Sequence, residues 1–368
     1  MKTTCSQSEL AAALSLVGRA VASRPSHPIL ANVLLTADAA TGRLSVTGYD
    51  LSLGIHTSIA AAVETSGATT VPARLFGEII SRLPADGPIT LSAASEQLEV
   101  STLSGSYRVQ QMPAEDYPDL PLGQSGAPIT LQAADLSRGL RATLFAASTD
   151  ESKQLLTGVH LELASSTEFA ATDGHRLAIM TSKSDAAVPK ATITVPGRAL
   201  RELERMLAGS AAAVEMFTDK GQITFSCGNS VLISRSLDGT YPNYRQLLPP
   251  SFSRCLTTNR KGLVSALERV AVVADQHNNV VKLTADPDRG EMVISADAQD
   301  VGSGSETVSA EITGEAIVIA FNARYLIDGL KAMAAEQVTL SCNAPTTPAV
   351  LGGDEGYTYL VMPVQVKS

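Results

Sequence analysis

Val195-Pro196-Gly197-Arg198-Ala199-Leu200 runs on into Arg201-Glu202-Leu203-Glu204-Arg205-Met206-Leu207, and the stretch has two counterparts elsewhere in the chain. Val71-Pro72-Ala73-Arg74-Leu75-Phe76 leads to Leu83, and Phe321-Asn322-Ala323-Arg324-Tyr325-Leu326 leads to Met333. Arg74, Arg198 and Arg324 are spaced by 124 and 126 residues. Two positions past each Arg stands an apolar residue (Phe76, Leu200, Leu326), and nine past stands another (Leu83, Leu207, Met333). That seven-residue offset returns to the same helix face. In the first two copies Pro stands where its missing N–H costs a helix nothing. In the third, Asn322 suits an N-cap. The chain therefore reads as three copies of one domain.

A second helix per copy follows from Leu10, Leu14, Val17 and Val21, from Leu136, Leu140 and Leu144, and from Leu263, Leu267 and Val270. Leu10, Leu136 and Leu263 are spaced by 126 and 127 residues, the same period. The six predicted helices span 8–21, 72–83, 133–147, 196–208, 259–274 and 322–334. Alternating segments such as 42–47, 89–91, 98–100, 107–109, 222–225 and 230–233 read as strands. Pro-dense joints at 112–121 and 238–250 each hold an acidic residue, Tyr-Pro and a closing Leu-Pro. They place boundaries that give domains 1–123, 124–251 and 252–368, each an α+β unit of two helices and antiparallel strands.

Composition is that of an ordinary globular chain: 368 residues, 44% hydrophobic, 18% charged, 4% aromatic and no Trp. No apolar run approaches the roughly 18 residues of a membrane span. Cys5, Cys227, Cys255 and Cys342 are scattered, and the first residues lack a signal-peptide core, so reduced thiols and a cytoplasmic location are expected. The net charge of −9 argues against nucleic acid only as an average. The six helices hold 13 Lys+Arg against 7 Asp+Glu, whereas the rest of the chain holds 15 against 30. Arg198, Arg201 and Arg205 recur at i, i+3 and i+7 and share one face. An acidic body with basic helices is organised to meet a polyanion, and without interleaved aromatic residues the contact would be independent of base sequence.

Ala171-Thr172-Asp173-Gly174-His175-Arg176-Leu177-Ala178 is the densest polar cluster. A tight turn at Asp173-Gly174 and a strand edge at Leu177 and Ile179 account for its backbone. A hydrolytic reading, with His175 as base oriented by Asp173, lacks a nucleophile elbow. The histidines His27, His56, His160, His175 and His277 show no metal-ligand spacing, and no phosphate-binding Gly-rich loop is present. Neither catalysis nor a cofactor is expected.

Four stretches resemble the bacterial sliding clamp family, the beta subunits of DNA polymerase III: Arg24-Pro25-Ser26-His27-Pro28-Ile29-Leu30, the 172–178 run, Tyr241-Pro242-Asn243-Tyr244-Arg245 and Val361-Met362-Pro363. The resemblance implies a head-to-tail homodimer forming a six-domain ring around duplex DNA, helices inside and sheets outside. It implies Arg24 and Arg74 as DNA contacts, to which the helix-face argument adds Arg198, Arg201 and Arg205. It implies a pocket between the second and third domains for short Gln- and Leu/Phe-containing peptides. The matching positions are Leu155, Thr172, Gly174, His175, Arg176, Leu177, Pro242, Leu247, Tyr325, Leu360, Met362, Pro363 and Val364. Gln246, Val364 and the tail 365–368 depart from the family pattern. Tyr107 and Val109, with Val272 and Val273, match its dimer joint. Implied partners are the polymerase III catalytic subunit, a separate ATP-driven clamp loader, and other polymerases and repair proteins. The alternative is a three-repeat scaffold that binds proteins only.

Overall fold

A computed structural model of the chain describes all residues except 86, 95, 123–126, 184–189, 209–212, 275–278, 299–301 and 366–368. His277, the expected boundary at 123/124 and most of the altered tail lie outside the described residues. The six helices form where the apolar spacing predicts them: α1 Gln7–Val17, α2 Ala73–Arg82, α3 Ala133–Thr143, α4 Gly197–Leu207, α5 Arg260–Ala274 and α6 Ala323–Ala332. A 3₁₀ turn extends α1 through Gly18–Ala20, and another extends α3 through Leu144–Ala146. Each helix follows directly on a strand: Lys2–Ser6, Gly67–Pro72, Ile129–Gln132, Ala191–Pro196, Arg254–Asn259 and Ile317–Asn322.

Start signals behave as their chemistry requires. Pro72 occupies the N-cap of α2. The Asn322 side chain accepts the backbone N–H of Arg324 at 2.9 Å and of Tyr325 at 3.4 Å, satisfying two donors that a helix start leaves open. The apolar stripes are buried throughout: Leu10, Leu14 and Val17 on α1, Phe76 and Ile80 on α2, Leu200, Leu203 and Leu207 on α4. The same holds for Leu263, Leu267 and Val270 on α5 and for Leu326 and Leu330 on α6. Leu83 and Met333 close α2 and α6 as buried C-caps.

The chain forms two compact units, and these do not follow the three repeats. One unit comprises Met1–Ala134 and Arg198–Ser236, the other Asp135–Gly197 and Leu237–Ser368. Strand pairing is the reason. In the first unit, Leu53–Thr65 of the first repeat pairs antiparallel with Ser230–Arg235 of the second, in the register Ile55↔Leu232. In the second unit, Arg176–Lys183 of the second repeat pairs with Tyr357–Val361 of the third, in the register Leu177↔Leu360. The described strands of the first unit make one 12-stranded sheet, and those of the second a nine-stranded and a four-stranded sheet. Within the units α1 packs on α2, and α5 on α6. One expectation needs correction. Leu177 and Ile179 lie in an interior strand, because Arg176–Lys183 has Ser166–Thr172 on one side and Tyr357–Val361 on the other.

Two helical glycines are set by ring packing. A Cβ on Gly139 of α3 would lie 2.4 Å from the Phe169 ring, and one on Gly329 of α6 would lie 2.3 Å from the Tyr359 ring. Both rings are fully buried. A glycine inside a helix costs about 1 kcal/mol relative to alanine, so close approach outweighs propensity here. Gly329→Ala is expected to destabilise the protein by about 1–3 kcal/mol net of its helix-propensity gain. Chemical denaturation measures this, and an unchanged or raised midpoint would contradict the packing account.

Candidate functional site

The 172–178 run forms the turn of a hairpin, with Thr172 facing Leu177 across the ladder. Gly174 has φ +93°, in the left-handed region that favours glycine. The nearest atom to a Cβ there would be Lys153 Nζ at 3.8 Å, so backbone conformation rather than crowding selects the glycine. The Thr172 hydroxyl donates to the Arg176 carbonyl at 2.6 Å and accepts the Gly174 N–H at 3.1 Å. Asp173 Oδ1 accepts the backbone N–H of His175 and of Arg176, at 2.8 and 3.1 Å.

Arg176 ties this turn to the third repeat. Its guanidinium donates to Asp173 at 3.0 Å, to Asp328 of α6 at 2.6 Å and to the Phe145 carbonyl at 2.8 Å. It also lies over the Tyr325 ring, 4.4 Å from the centroid. Burial works against its charge, but Tyr359, Asp328 and Asp173 outweigh that, and its pKa stands above the ordinary arginine value. The His175 ring stacks on Tyr325 with centroids 6.4 Å apart. Asp173 spends its oxygens on backbone N–H groups and Arg176, which is the work of a turn brace and not of an orienting acid for a catalytic histidine.

An apolar floor lies beside the turn. Ala170, Leu177, Ile179, Tyr241, Tyr244 and Leu360 form one buried cluster, with Leu155, Leu156, Leu248 and Val350 half-buried against it. Register produces the pairing: Leu177 opposes Leu360, and Leu360 opposes Val350 on its other side. The Tyr241 hydroxyl accepts the Thr172 N–H at 3.2 Å, and its ring stacks on His160 at 4.7 Å. Tyr244 donates to Glu168 at 2.5 Å, while Arg245 pairs with Glu162 and Glu168 at 2.7 and 2.6 Å. Burial raises the pKa of both tyrosines, so their hydroxyls stay neutral. The chain end completes the wall. Met362 donates its N–H to the His175 carbonyl at 2.9 Å, and Val364 donates to Ala320 at 2.8 Å.

The structure thus gathers Leu155, Thr172, Gly174, His175, Arg176, Leu177, Tyr325, Leu360 and Met362, with Pro363 half-buried beside Met362. Leu247 lies outside the buried cluster. It is 52% exposed, and Leu248 is the residue that packs inward. Pro242 is likewise exposed. Tyr241, Tyr244, Phe145 and Asp328 are the structural members that motif reading did not assign. The first two lie within the quoted Tyr-Pro motif, whereas nothing in sequence links Arg176 to Phe145 or Asp328.

The arginine faces lie in the first unit. Arg24, Arg74, Arg198, Arg201 and Arg205 are all exposed. Arg74 pairs with Glu78 one turn on at 3.2 Å. Arg198 pairs with Asp50, and Arg205 with Glu202, so two of the three α4 arginines are not the free cations that their spacing suggests. At the expected joint, Tyr107 is 45% exposed on Ser106–Gln110, which among the described residues is an edge strand paired only with Gln97–Ser101. Val109 of that strand is 1% exposed and points into the core, so its side chain is not available to a partner. Val272 on α5 is 70% exposed. Among the described residues no cluster of His, Cys, Asp and Glu suits a metal, and no helix is long and apolar enough to cross a membrane.

Three family models match the chain consecutively: the DNA polymerase III beta subunit N-terminal domain over 1–121, the central domain over 130–243 and the C-terminal domain over 245–365. The chain belongs to the DNA polymerase III beta subunit family. It is 52% identical over 375 residues to the beta sliding clamp of Synechococcus elongatus, with all of both chains covered. It is 45% identical over 391 residues to that of Synechocystis, again covering both completely. Among solved structures, the sliding clamp of Bacillus subtilis matches with a TM-score of 0.94 at 29% identity, covering 100% of each chain. The clamp of Bartonella birtlesii bound to griselimycin matches at 0.93 and 30% identity, also over 100% of each.

In this beta-subunit chain Arg176 braces the turn mechanically. Arg176→Ala would leave the largely buried Asp173 carboxylate without its counter-charge and strip Asp328 of its partner. The expected loss is about 2–4 kcal/mol of stability, with His175 and Tyr325 losing their fixed stacking. Thermal unfolding of the variant checks it, and a wild-type melting profile would show that the brace is dispensable.

Proposed function

We propose that this chain is a processivity clamp: a non-catalytic ring that encircles duplex DNA and tethers replication and repair proteins. The consecutive match of all three family domains over the whole chain carries the reading. In it the domains are 1–123, 124–251 and 252–368. The cleft floored by Leu177, Leu360 and Leu155 takes aliphatic and aromatic anchors of partner peptides, with Thr172, Gly174, His175 and Met362 fixing their register by main-chain and side-chain polar groups. The polymerase III catalytic subunit, a clamp loader and other polymerases are the partners that this chemistry suits.

Ring closure needs two complementary edges on each copy. Among the described residues Ser106–Gln110 offers one unpaired edge, and Gly302–Ser309, paired only with Glu291–Ala298, offers another. Joining them head to tail between two copies would satisfy both rows of backbone groups and cover Tyr107 and Val272. Inside such a ring, Arg24, Arg74 and the α4 arginines would meet phosphates. A helix about 10–12 Å across that crosses a groove about 12 Å wide cannot lodge in it, so contacts stay long-armed and independent of sequence.

Retention on circular and linear DNA tests the encirclement. Protein loaded onto a nicked circle by a clamp loader is expected to stay with the circle through gel filtration, and to run off once a restriction enzyme cuts it. Equal loss from both, or equal retention with the steep salt dependence of phosphate contacts, would favour the protein-only scaffold. Separately, Met362→Asp, at an exposed position beside the apolar cluster, is expected to lower affinity for a Gln- and Leu/Phe-containing peptide at least tenfold while leaving retention on circles intact. Isothermal titration alongside the retention assay reads both, and unimpaired peptide binding would remove the cleft from the reading.

A further inference from the structure

Two carboxylates sit beneath the arginines of the first unit, and both are more deeply buried than the arginines they hold. The Asp50 side chain is 8% exposed against 52% for Arg198, and that of Glu202 is 11% exposed against 51% for Arg205 and 43% for Arg19. Asp50 Oδ1 accepts the Ser52 N–H at 3.0 Å, the Ser52 hydroxyl at 2.7 Å and the Leu53 N–H at 2.8 Å, while Oδ2 takes Arg198. Arg198 also donates to the Arg19 carbonyl at 3.3 Å. Glu202 gives Oε1 to Arg205, whereas its buried Oε2 accepts no hydrogen bond among the described residues and faces Arg19 Nε at 3.6 Å. Arg201 is exposed on the same helix and meets no carboxylate among the described residues.

Each arrangement carries a local cost. An unsatisfied buried carboxylate oxygen is disfavoured in a folded protein. The Asp50 loop holds Leu51 at φ +75° with its side chain 42% exposed, a conformation that a leucine adopts only under constraint. Burial alone would raise the Asp50 pKa, yet the donors from Ser52, Leu53 and Arg198 hold it below its ordinary value, so it stays charged. Retaining a strained loop residue and a carboxylate oxygen that is ion-paired but accepts no hydrogen bond, around two anions directly under cations, points to a use for their charge.

We propose that Asp50 and Glu202 are positioning residues that limit the strength of phosphate contact at this face. This rests on the DNA reading given above. Counting Asp50 and Glu202 as carboxylates, the four cations Arg19, Arg198, Arg201 and Arg205 carry a net charge of about +2 rather than +4, and Arg19, Arg198 and Arg205 each have a competing partner when a phosphate arrives. Contacts then form and break easily, which suits a protein held by topology and required to move along its DNA.

The test uses the full chain without a loader, binding a fluorescently labelled duplex of about 25 base pairs across a salt series, with Arg201→Ala as reference. Asp50→Asn keeps an oxygen for Ser52 and Leu53 while discarding the charge, and Glu202→Gln does the same for Arg205. Each variant is expected to bind about threefold or more tightly near 0.1 M salt, and to steepen the log–log salt slope by about 0.9 for each phosphate newly engaged. The two acids lie on different elements, so a folding defect in one variant, read by its melting profile, leaves the other as the test. Binding that is unchanged or weaker in folded variants, while Arg201→Ala still weakens it, overturns this role and leaves the DNA reading standing. Binding indifferent to Arg201→Ala and to both acids overturns the two together.

Discussion

Antiparallel main-chain pairing across the repeat junctions is the constraint on which the rest depends. Because Arg176–Lys183 of the second repeat is hydrogen-bonded to Tyr357–Val361 of the third, Leu177 faces Leu360 and Arg176 faces Val361. A shift of one residue would turn every side chain of a strand to the opposite face. It would place Arg176 in the apolar floor and Leu177 at the rim. The apolar cluster beside the turn is therefore a property of register, and the ion pairs around Arg176 reinforce a register that the hydrophobic alternation has already selected. The same device joins the first and second repeats through Ile55 and Leu232. Covalent repeats thus become compact units that cut across the repeat boundaries.

The repeated helices were legible because two physical signals coincide in them. In α2, α4 and α6 a seven-residue apolar offset marks a buried face and Pro or Asn marks the start, while α1, α3 and α5 are read from apolar spacing alone, and all six form where spacing places them. Strand presence was legible from alternation, but strand partnership was not. Leu177 lies in an interior strand because of a partner some 180 residues away, and no local pattern encodes that. Leu247 illustrates the same limit. Adjacent leucines at 247 and 248 are equivalent as sequence, and only the 3₁₀ turn at Tyr244–Leu247 decides that Leu248 packs inward.

The two glycines beneath aromatic rings show how one solution recurs on diverged sequence. Gly139 receives Phe169 in the second repeat, and Gly329 receives Tyr359 in the third. Each ring comes from a strand and lies against a helix that lacks a Cβ at that point. The third-repeat version adds a polar tip: the Tyr359 hydroxyl donates to the Tyr325 carbonyl at 2.9 Å. That bond holds α6 at the position where Tyr325 covers Arg176 and stacks on His175. Core packing and cleft geometry are in this way the same set of contacts.

Charge on the arginine faces shows what periodicity omits. Spacing at i, i+3 and i+7 correctly puts Arg198, Arg201 and Arg205 on one exposed face, but it counts cations and not their partners. Asp50 reaches Arg198 from 148 residues away, and Glu202 lies between two arginines on α4 itself. A pair whose guanidinium is about half exposed is screened by solvent, so stability alone is a weak reason to set a buried acid under Arg198 and another under Arg19 and Arg205. A protein that binds a polyanion by affinity would leave those arginines free, because each competing carboxylate weakens contact. One that is held by closure around the polymer gains from the opposite arrangement, since tight contacts would arrest it. On the proposed reading, the half-neutralised face is the electrostatic form expected of a surface that touches phosphate repeatedly without stopping on it.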